Sequence, residues 1–331
     1  MNGRLEAVME HNEVSTIDAV DLRGLRPEEY EHPLDRSALN VLEGTPGLET
    51  TIRKFHEYGL EKLMTVQYTG SNIKVRRDNL PELYDVIETV CRRIHLRDIP
   101  DFYVAQGALN AFTTGSKNPI VVVTQECVDR LTRDELIFVV GHEVGHIKSQ
   151  HVLYHQLASV LPIVGDLVGS VTLGLGGLFS KGLEWALYSW QRKSEFTCDR
   201  AGLLACQDIN AAISAMMKIA GMPVTYYDAI NPKDFLSQAE AFKAFDQDKM
   251  NALFKLFMAT GTTHPWTVIR CAEMQQWIDD GLYGEMLDTY AQPEVVSAGM
   301  SDGSERAAFC NQCGQSIKVD SKFCIHCGAK Q

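Results

Sequence analysis

Short apolar strands separated by long helical stretches predict an α+β fold, mainly helical with a small sheet, followed by a small C-terminal module. Three observations carry this expectation. FYVA after Pro100 and IVVV after Pro119 are four-residue runs rich in β-branched and aromatic residues, too short for helices. Most of the remaining length carries helical signals, some opened by a proline. At the end of the chain, Cys310, Cys313, Cys324 and Cys327 crowd a segment too small to be held together by burial alone.

In chain order, residues 1–50 carry loop signals (RPEEYEHPLD, EGTPG) around a short helix at Ser37 to Leu42, and read as an arm that wraps the main domain. A helix is expected from Thr51 to about Met64, a strand from Asn72 to Arg76, and a helix from Pro81 to about His95. Asn110, Ala111 and Phe112 lie between the two strands, flanked by Gly107 and Gly115. Leu157 to Phe179 has the length to cross a bilayer and only Asp166 as a charge, but Pro162 and five glycines break it. The limb that follows, Leu183 to Trp190, is too short to span. The expectation is a buried or surface-lying helical hairpin, with peripheral membrane contact open over residues 157–190. Helices then follow from Glu195 to about Ile219, Asp234 to Met258 and Pro265 to Asp280. The division expected is an arm over 1–50, a main domain over 51–290, a linker over 291–308 and a terminal module over 309–331.

A chain of 331 residues with 45% hydrophobic and 22% charged residues is ordinary for a globular protein with one sizeable core. The net charge of -12 argues against a general nucleic-acid binder and against simple attachment to anionic lipid. Cys91, Cys127, Cys198, Cys206 and Cys271 are scattered, as a reducing compartment permits. MNGRLEAVMEHNEVSTIDAV shows no basic start followed by an apolar block, so a cytoplasmic chain is expected.

The apolar run LIFVVGHEVGHI holds His142-Glu143-Val144-Gly145-His146, the pattern H-E-x-x-H. Residues four apart on a helix share a face, so His142 and His146 can bring two imidazole nitrogens to one zinc ion. Glu143 flanks that face, where it can take a proton from a zinc-bound water and hand it to a leaving amine. Leu136 to Val140 make the surroundings apolar, and a histidine pair near a core needs a partner. This is the signature of zinc metalloproteases.

A catalytic zinc keeps three protein ligands and an open position. One zincin class uses a histidine six residues after the second ligand with a glycine between, but Val152 and Ser149 stand there. His151 and His155 fall off the pair's face or too far along the helix, and read as surface or structural. A glutamate on a later helix remains. WQRKSEFTCDRAG offers Glu195 as that ligand, with Asp199 four residues on to accept a hydrogen bond from a liganding histidine.

With these residues in view, the chain resembles the M48 peptidases, the group that contains the bacterial heat-shock membrane protease and the CAAX prenyl protease of eukaryotes. The resemblance covers roughly residues 30 to 290: N-A-F-x-x-G at Asn110 to Gly115, the H-E-x-x-H helix, S-E-F-x-x-D-R-A-G, and His264-Pro265 with Arg270 beyond. It implies a gluzincin-like zincin domain. It also implies that Asn110, Ala111 and Phe112 form an edge strand beside a cleft, where an extended peptide adds as a strand. His264 and Arg270 are implied to steady the oxyanion. Cys198 departs from the family, which usually has alanine there, and reads as a small buried filler.

The last stretch, FCNQCGQSIKVDSKFCIHCGAKQ, has two C-x-x-C-G knuckles and resembles a zinc ribbon, with Cys310, Cys313, Cys324 and Cys327 on a structural zinc. The ribbon is a candidate contact for a protein partner. The resulting expectation is a zinc-dependent endopeptidase acting on polypeptides, with one catalytic and one structural Zn2+. The competing reading is a non-cleaving, chaperone-like or adaptor protein that keeps the fold and the metal. An intact Glu143 weighs against it.

Overall fold

The structure is a computed structural model that describes residues 19–48, 51–52, 55, 59–159, 175–229, 231–244, 265–291, 307–309 and 316–318. It is mainly helical with a small sheet, as the alternation of short strands and long helices requires. Among the described residues, α1 (Pro27–Tyr30) and α2 (Pro33–Glu43) come first, then α3 (Leu60–Ser71), β1 (Ile73–Lys74) and α4 (Pro81–Arg93). Strands β2 (Asp101–Ala105), β3 (Ala111–Thr114) and β4 (Ile120–Thr124) lead into α5 (Gln125–Arg130) and α6 (Arg133–Lys148). A helix over residues 152–159, α7, precedes the long α8 (Leu175–Cys206). The unit closes with α9 (Ile209–Ile219), α10 (Pro232–Ala244), α11 (Thr267–Asp279) and α12 (Leu282–Ala291).

The four-stranded sheet has the order β1-β2-β4-β3, with β2 and β4 parallel and the outer pairs antiparallel. Strand β4 is buried along its whole length, which is why it reads IVVV without alternation. Strand β3 stands at an edge with Phe112 opposite Val122. The glycine after it has φ +86, and a Cβ there would lie 2.4 Å from the Asn118 carbonyl oxygen, so the turn into β4 requires glycine.

Helix α6 begins with a reciprocal cap. Thr132 accepts from the Glu135 N–H at 3.3 Å, and the Glu135 carboxylate accepts from the Thr132 N–H at 2.7 Å. The helix is buried from Glu135 through His146, and its most extensive helix contact is with α8. That contact is made by small residues. A Cβ on Gly141 would lie 2.6 Å from the Ala205 Cβ, and one on Gly145 would lie 2.7 Å from the Ala201 Cβ. Gly202 approaches the Phe138 carbonyl oxygen, 2.7 Å from where its own Cβ would be. The two backbones therefore run closer than residues with side chains allow.

Several expectations change in extent. The helix expected from Glu195 to Ile219 is two helices. Gln207 has φ +56, and Asp208 caps α9 by accepting from the N–H groups of Asn210 and Ala211. Upstream the same helix begins at Leu175, so Glu195 sits deep in a helix instead of near its start. The helix expected from Thr51 to Met64 is interrupted at Gly59, with φ +63, and α3 runs on to Ser71. Residues 160–174 of the expected hairpin lie outside the described residues, and the limb Leu183 to Trp190 is continuous with α8. No helix among the described residues is long and apolar enough to cross a membrane.

A main core joins the sheet with α4, α6, α8 and α9, while a second cluster gathers Leu42, Leu157, Leu183, Leu187 and Trp190 from α2, α7 and α8. Leu22, Leu25 and Tyr30, within the stretch expected to be an arm, belong to the first cluster. The chain divides into two compact units, Met1–Ala291 and Gln292–Gln331. In the second, β5 (Ala307–Phe309) and β6 (Ser316–Lys318) pair antiparallel. The four cysteines there lie outside the described residues.

Candidate active site

Helices α6 and α8 bring the expected ligands together. His142 and His146 lie one turn apart on α6, and the glycine contacts let α8 set Glu195 directly against them. The Glu195 carboxylate is 3.4 Å from His142 Nε2 and 3.5 Å from His146 Nε2. Zinc ligands at about 2.1 Å in a tetrahedral array lie about 3.4 Å from one another. Two imidazole nitrogens and a carboxylate oxygen, all within 4.8 Å of one another, therefore fit zinc in donor type and spacing. All three residues are buried.

Asp199, one turn beyond Glu195, lies 3.0 Å from His142 Nδ1. It fixes the ring with Nε2 toward Glu195, the usual arrangement behind a metal-binding histidine. Arg270, on α11, donates to Asp199 through Nε at 2.8 Å and Nη2 at 2.5 Å, and its Nη1 is 3.6 Å from Glu195. The guanidinium thus faces the carboxylates. Although burial raises the Asp199 carboxyl, Arg270 and His142 outweigh it and hold Asp199 below the usual carboxylate range. Burial lowers His142, but hydrogen bonds to Asp199 and Glu195 outweigh it and raise the imidazole to about 9. Burial dominates at His146 and lowers it to about 4 despite Glu195.

Glu143 points toward the sheet. The Thr113 hydroxyl lies 2.9 Å from Glu143 Oε2 and 3.0 Å from its carbonyl oxygen, tying the edge strand to the helix. Burial raises the Glu143 carboxyl above its ordinary value, against the pull of His142 and Thr113. A buried carboxylate of raised basicity beside a metal position can accept a proton from water.

Ala111 and Phe112 are on β3 and Asn110 immediately precedes it, so the N-A-F segment is at a sheet edge beside α6. His264 lies outside the described residues. Sequence reasoning missed two residues and left a third between two readings. Thr113 sits inside the quoted N-A-F segment but had no assigned purpose. Asp35, fully buried, accepts from Trp190 Nε1 and Thr197 Oγ1, and nothing in PLDRSALN marks it as different from a surface helix aspartate. His151 was expected at the surface or in a structural role; it is buried, because α6 ends at Lys148 and Gln150, with φ +59, turns the chain back.

Residues 78–278, more than half of the chain, match the model of peptidase family M48, and residues 309–331 match a zinc-ribbon domain. A plastoglobule-localized metallopeptidase 48 from the chloroplast of Arabidopsis thaliana is 29% identical over 259 residues, covering 77% of this chain and 74% of that one. A protease HtpX homolog from Moorella thermoacetica is 30% identical over 226 residues, 59% of this chain and 72% of the relative. Another from Thermococcus sibiricus is 37% identical over 112 residues, 33% and 38% of the two chains. No solved structure matched. The M48 match spans the helix of His142 and His146, the helix of Glu195 and Asp199, and Arg270, and it is these residues that converge in space: the chain belongs to peptidase family M48 and is a metallopeptidase.

Proposed function

We propose that the protein is a zinc endopeptidase that cuts extended, unfolded polypeptide, with a role in protein quality control. The observation that carries this is the convergence of His142 Nε2, His146 Nε2 and the Glu195 carboxylate, with Glu143 alongside on the same helix. Zinc, bound by these three, supplies a Lewis acid that lowers the pKa of water and polarises the peptide carbonyl.

The remaining steps belong to the chain. The edge of β3 takes an extended substrate as an added strand, which sets the scissile carbonyl near α6. Glu143 accepts the proton of the attacking water and returns it to the leaving amine, held in place by the Thr113 hydroxyl. Asp199 orients His142. The resemblance implies that Arg270 steadies the oxyanion, but its donors are directed at Asp199 and Glu195, which favours a positioning role. His264 keeps the oxyanion role that the resemblance implies.

The count of metal ions follows from the same reading: one zinc at this site and one on Cys310, Cys313, Cys324 and Cys327, in a ribbon that contacts a protein partner. A quality-control role rests on the likeness to heat-shock proteases and on an edge strand that reads backbone before sequence. Peripheral membrane contact over residues 157–190 is favoured by the exposed Trp185 on α8. A reducing, cytoplasmic location is favoured by the cysteines among the described residues, which are buried and free.

The test is cleavage of casein by the wild type and by Glu143→Gln, with zinc measured on both. Two zinc ions in each protein and cleavage by the wild type alone are expected. A wild type that holds both ions and cuts nothing would turn the reading to the non-cleaving alternative.

A further inference from the structure

Beside His146 lies a second group of ligand-type side chains. Cys198 is fully buried on α8, and its Sγ is 3.5 Å from His151 Nδ1. A ring nitrogen of His146, one of His151 and the Cys198 Sγ lie within 4.8 Å of one another. The other His151 nitrogen, Nε2, is 3.2 Å from Asp35 Oδ2, and Asp35 is itself held by Trp190 and Thr197. His146 Nδ1 is buried and has no hydrogen-bond partner among the described residues.

A small buried thiol is often an apolar filler. That reading leaves the His146 Nδ1 unexplained, since buried polar atoms are almost always satisfied. It also leaves unexplained why Asp35 backs His151 in the manner that Asp199 backs His142, the pairing typical of metal-binding histidines. One thiol sulfur and two imidazole nitrogens suit a thiophilic ion, whereas Mg2+ and Ca2+ require oxygen ligands.

We propose that Cys198 Sγ, His151 Nδ1 and His146 Nδ1 form a second buried metal site for a thiophilic ion such as Zn2+ or Cd2+, back to back with the first across the His146 ring. The proposal rests on the reading that His146 serves the first site through Nε2. Its charge balance is definite: binding displaces the thiol proton of Cys198 and, with both sites filled, the remaining ring proton of His146. That double deprotonation makes the second ion bind more weakly than the first. The site therefore fills only when metal is in excess, and its ion draws on a ligand that the peptidase site needs.

The experiment uses the full chain with the ribbon silenced by Cys310→Ser, Cys313→Ser, Cys324→Ser and Cys327→Ser, so that ribbon thiolates contribute no signal. Cd2+ is titrated in and followed by thiolate-to-metal charge-transfer absorbance and by bound metal per chain. The expected result is a first ion without the absorbance and a second, weaker ion with it. Cys198→Ala in the same background should bind one ion with no absorbance. His151→Gln, which keeps the thiol, should lose the second ion as well. Circular dichroism on each variant identifies misfolding. The absence of charge-transfer absorbance at any excess in the folded parent, or the same absorbance in Cys198→Ala, would overturn the proposal. Casein cleavage by the wild type is scored separately, so a failed peptidase reading shows as no cleavage whatever the cadmium titration gives.

Discussion

Asp199 stands between two partners, accepting from His142 on one side and from Arg270 on the other, so under the proposed reading a change there acts on zinc through His142. Asp199→Asn keeps the shape but loses the charge that pairs with Arg270, and should weaken zinc binding about 10–100-fold, measured by competition with a chromogenic chelator. Arg270→Lys loses the two-point contact and should weaken zinc in the same direction. Asp35 makes a pH-dependent prediction. Burial raises its carboxyl, but His151, Thr197 and Trp190 outweigh burial and hold it below the usual aspartate value. A depressed folded value contributes stability that is complete above the unfolded value and is lost as pH falls through the folded one. The wild type should therefore lose stability below about pH 4, where an ordinary aspartate begins to protonate. Asp35→Asn should lack that limb and start on the order of 3 kcal/mol lower at neutral pH, because it leaves buried partners unpaired. Urea midpoints taken from neutral to acid pH measure both effects, and parallel acid limbs in the two proteins would count against the assignment.

Helices α6 and α8 work as a pair, and their glycines decide how near Glu195 comes to the histidines. Gly141→Ala would put a Cβ 2.6 Å from the Ala205 Cβ, so the helices must part. Overpacking of this kind costs about 1–3 kcal/mol, and a shift of the metal ligands should lower zinc affinity as well. Gly141→Ala combined with Ala205→Gly returns the space and should recover much of both losses, read by thermal melts and zinc competition. No recovery in the pair would mean that the clash lies elsewhere. What the sequence made legible follows the same division. That His142, Glu143, His146, Glu195 and Asp199 come together was readable because metal chemistry fixes both residue type and helical spacing. The glycine contact was not, since a glycine in an apolar helix looks the same whether it faces a neighbour or a gap. Nor was the end of α8, where Gln207 takes φ +56 without a glycine or proline to mark it. Asp35 was not legible, and His151 was legible only as surface or structural, because their meaning lies in partners far away in sequence, Trp190 and Thr197 for one and Cys198 for the other.

At the scale of the whole molecule, the chain divides into two compact units, and the proposed reading gives each one metal site. Silencing the ribbon with Cys310→Ser and Cys313→Ser should lower zinc in protein purified without added metal from two ions to one, and leave the thermal transition of the larger unit in place. The proposed site in the larger unit has a different consequence, because its three candidate ligands come from two helices that are otherwise held by packing. An ion that binds the folded state alone stabilises it by an amount that grows with the logarithm of saturation, about 4 kcal/mol at a thousandfold excess over Kd. For a domain of this size each kcal/mol is worth about 2–4 °C, so a strong chelator should lower the melting temperature of the larger unit by about 10 °C. His142→Ala removes a ligand and should melt at the same temperature with and without chelator. Glu143→Gln keeps all three ligands and should show the full chelator shift while cutting nothing. If Glu143→Gln loses the shift, Glu143 is holding the metal, and its place as proton acceptor passes to another group.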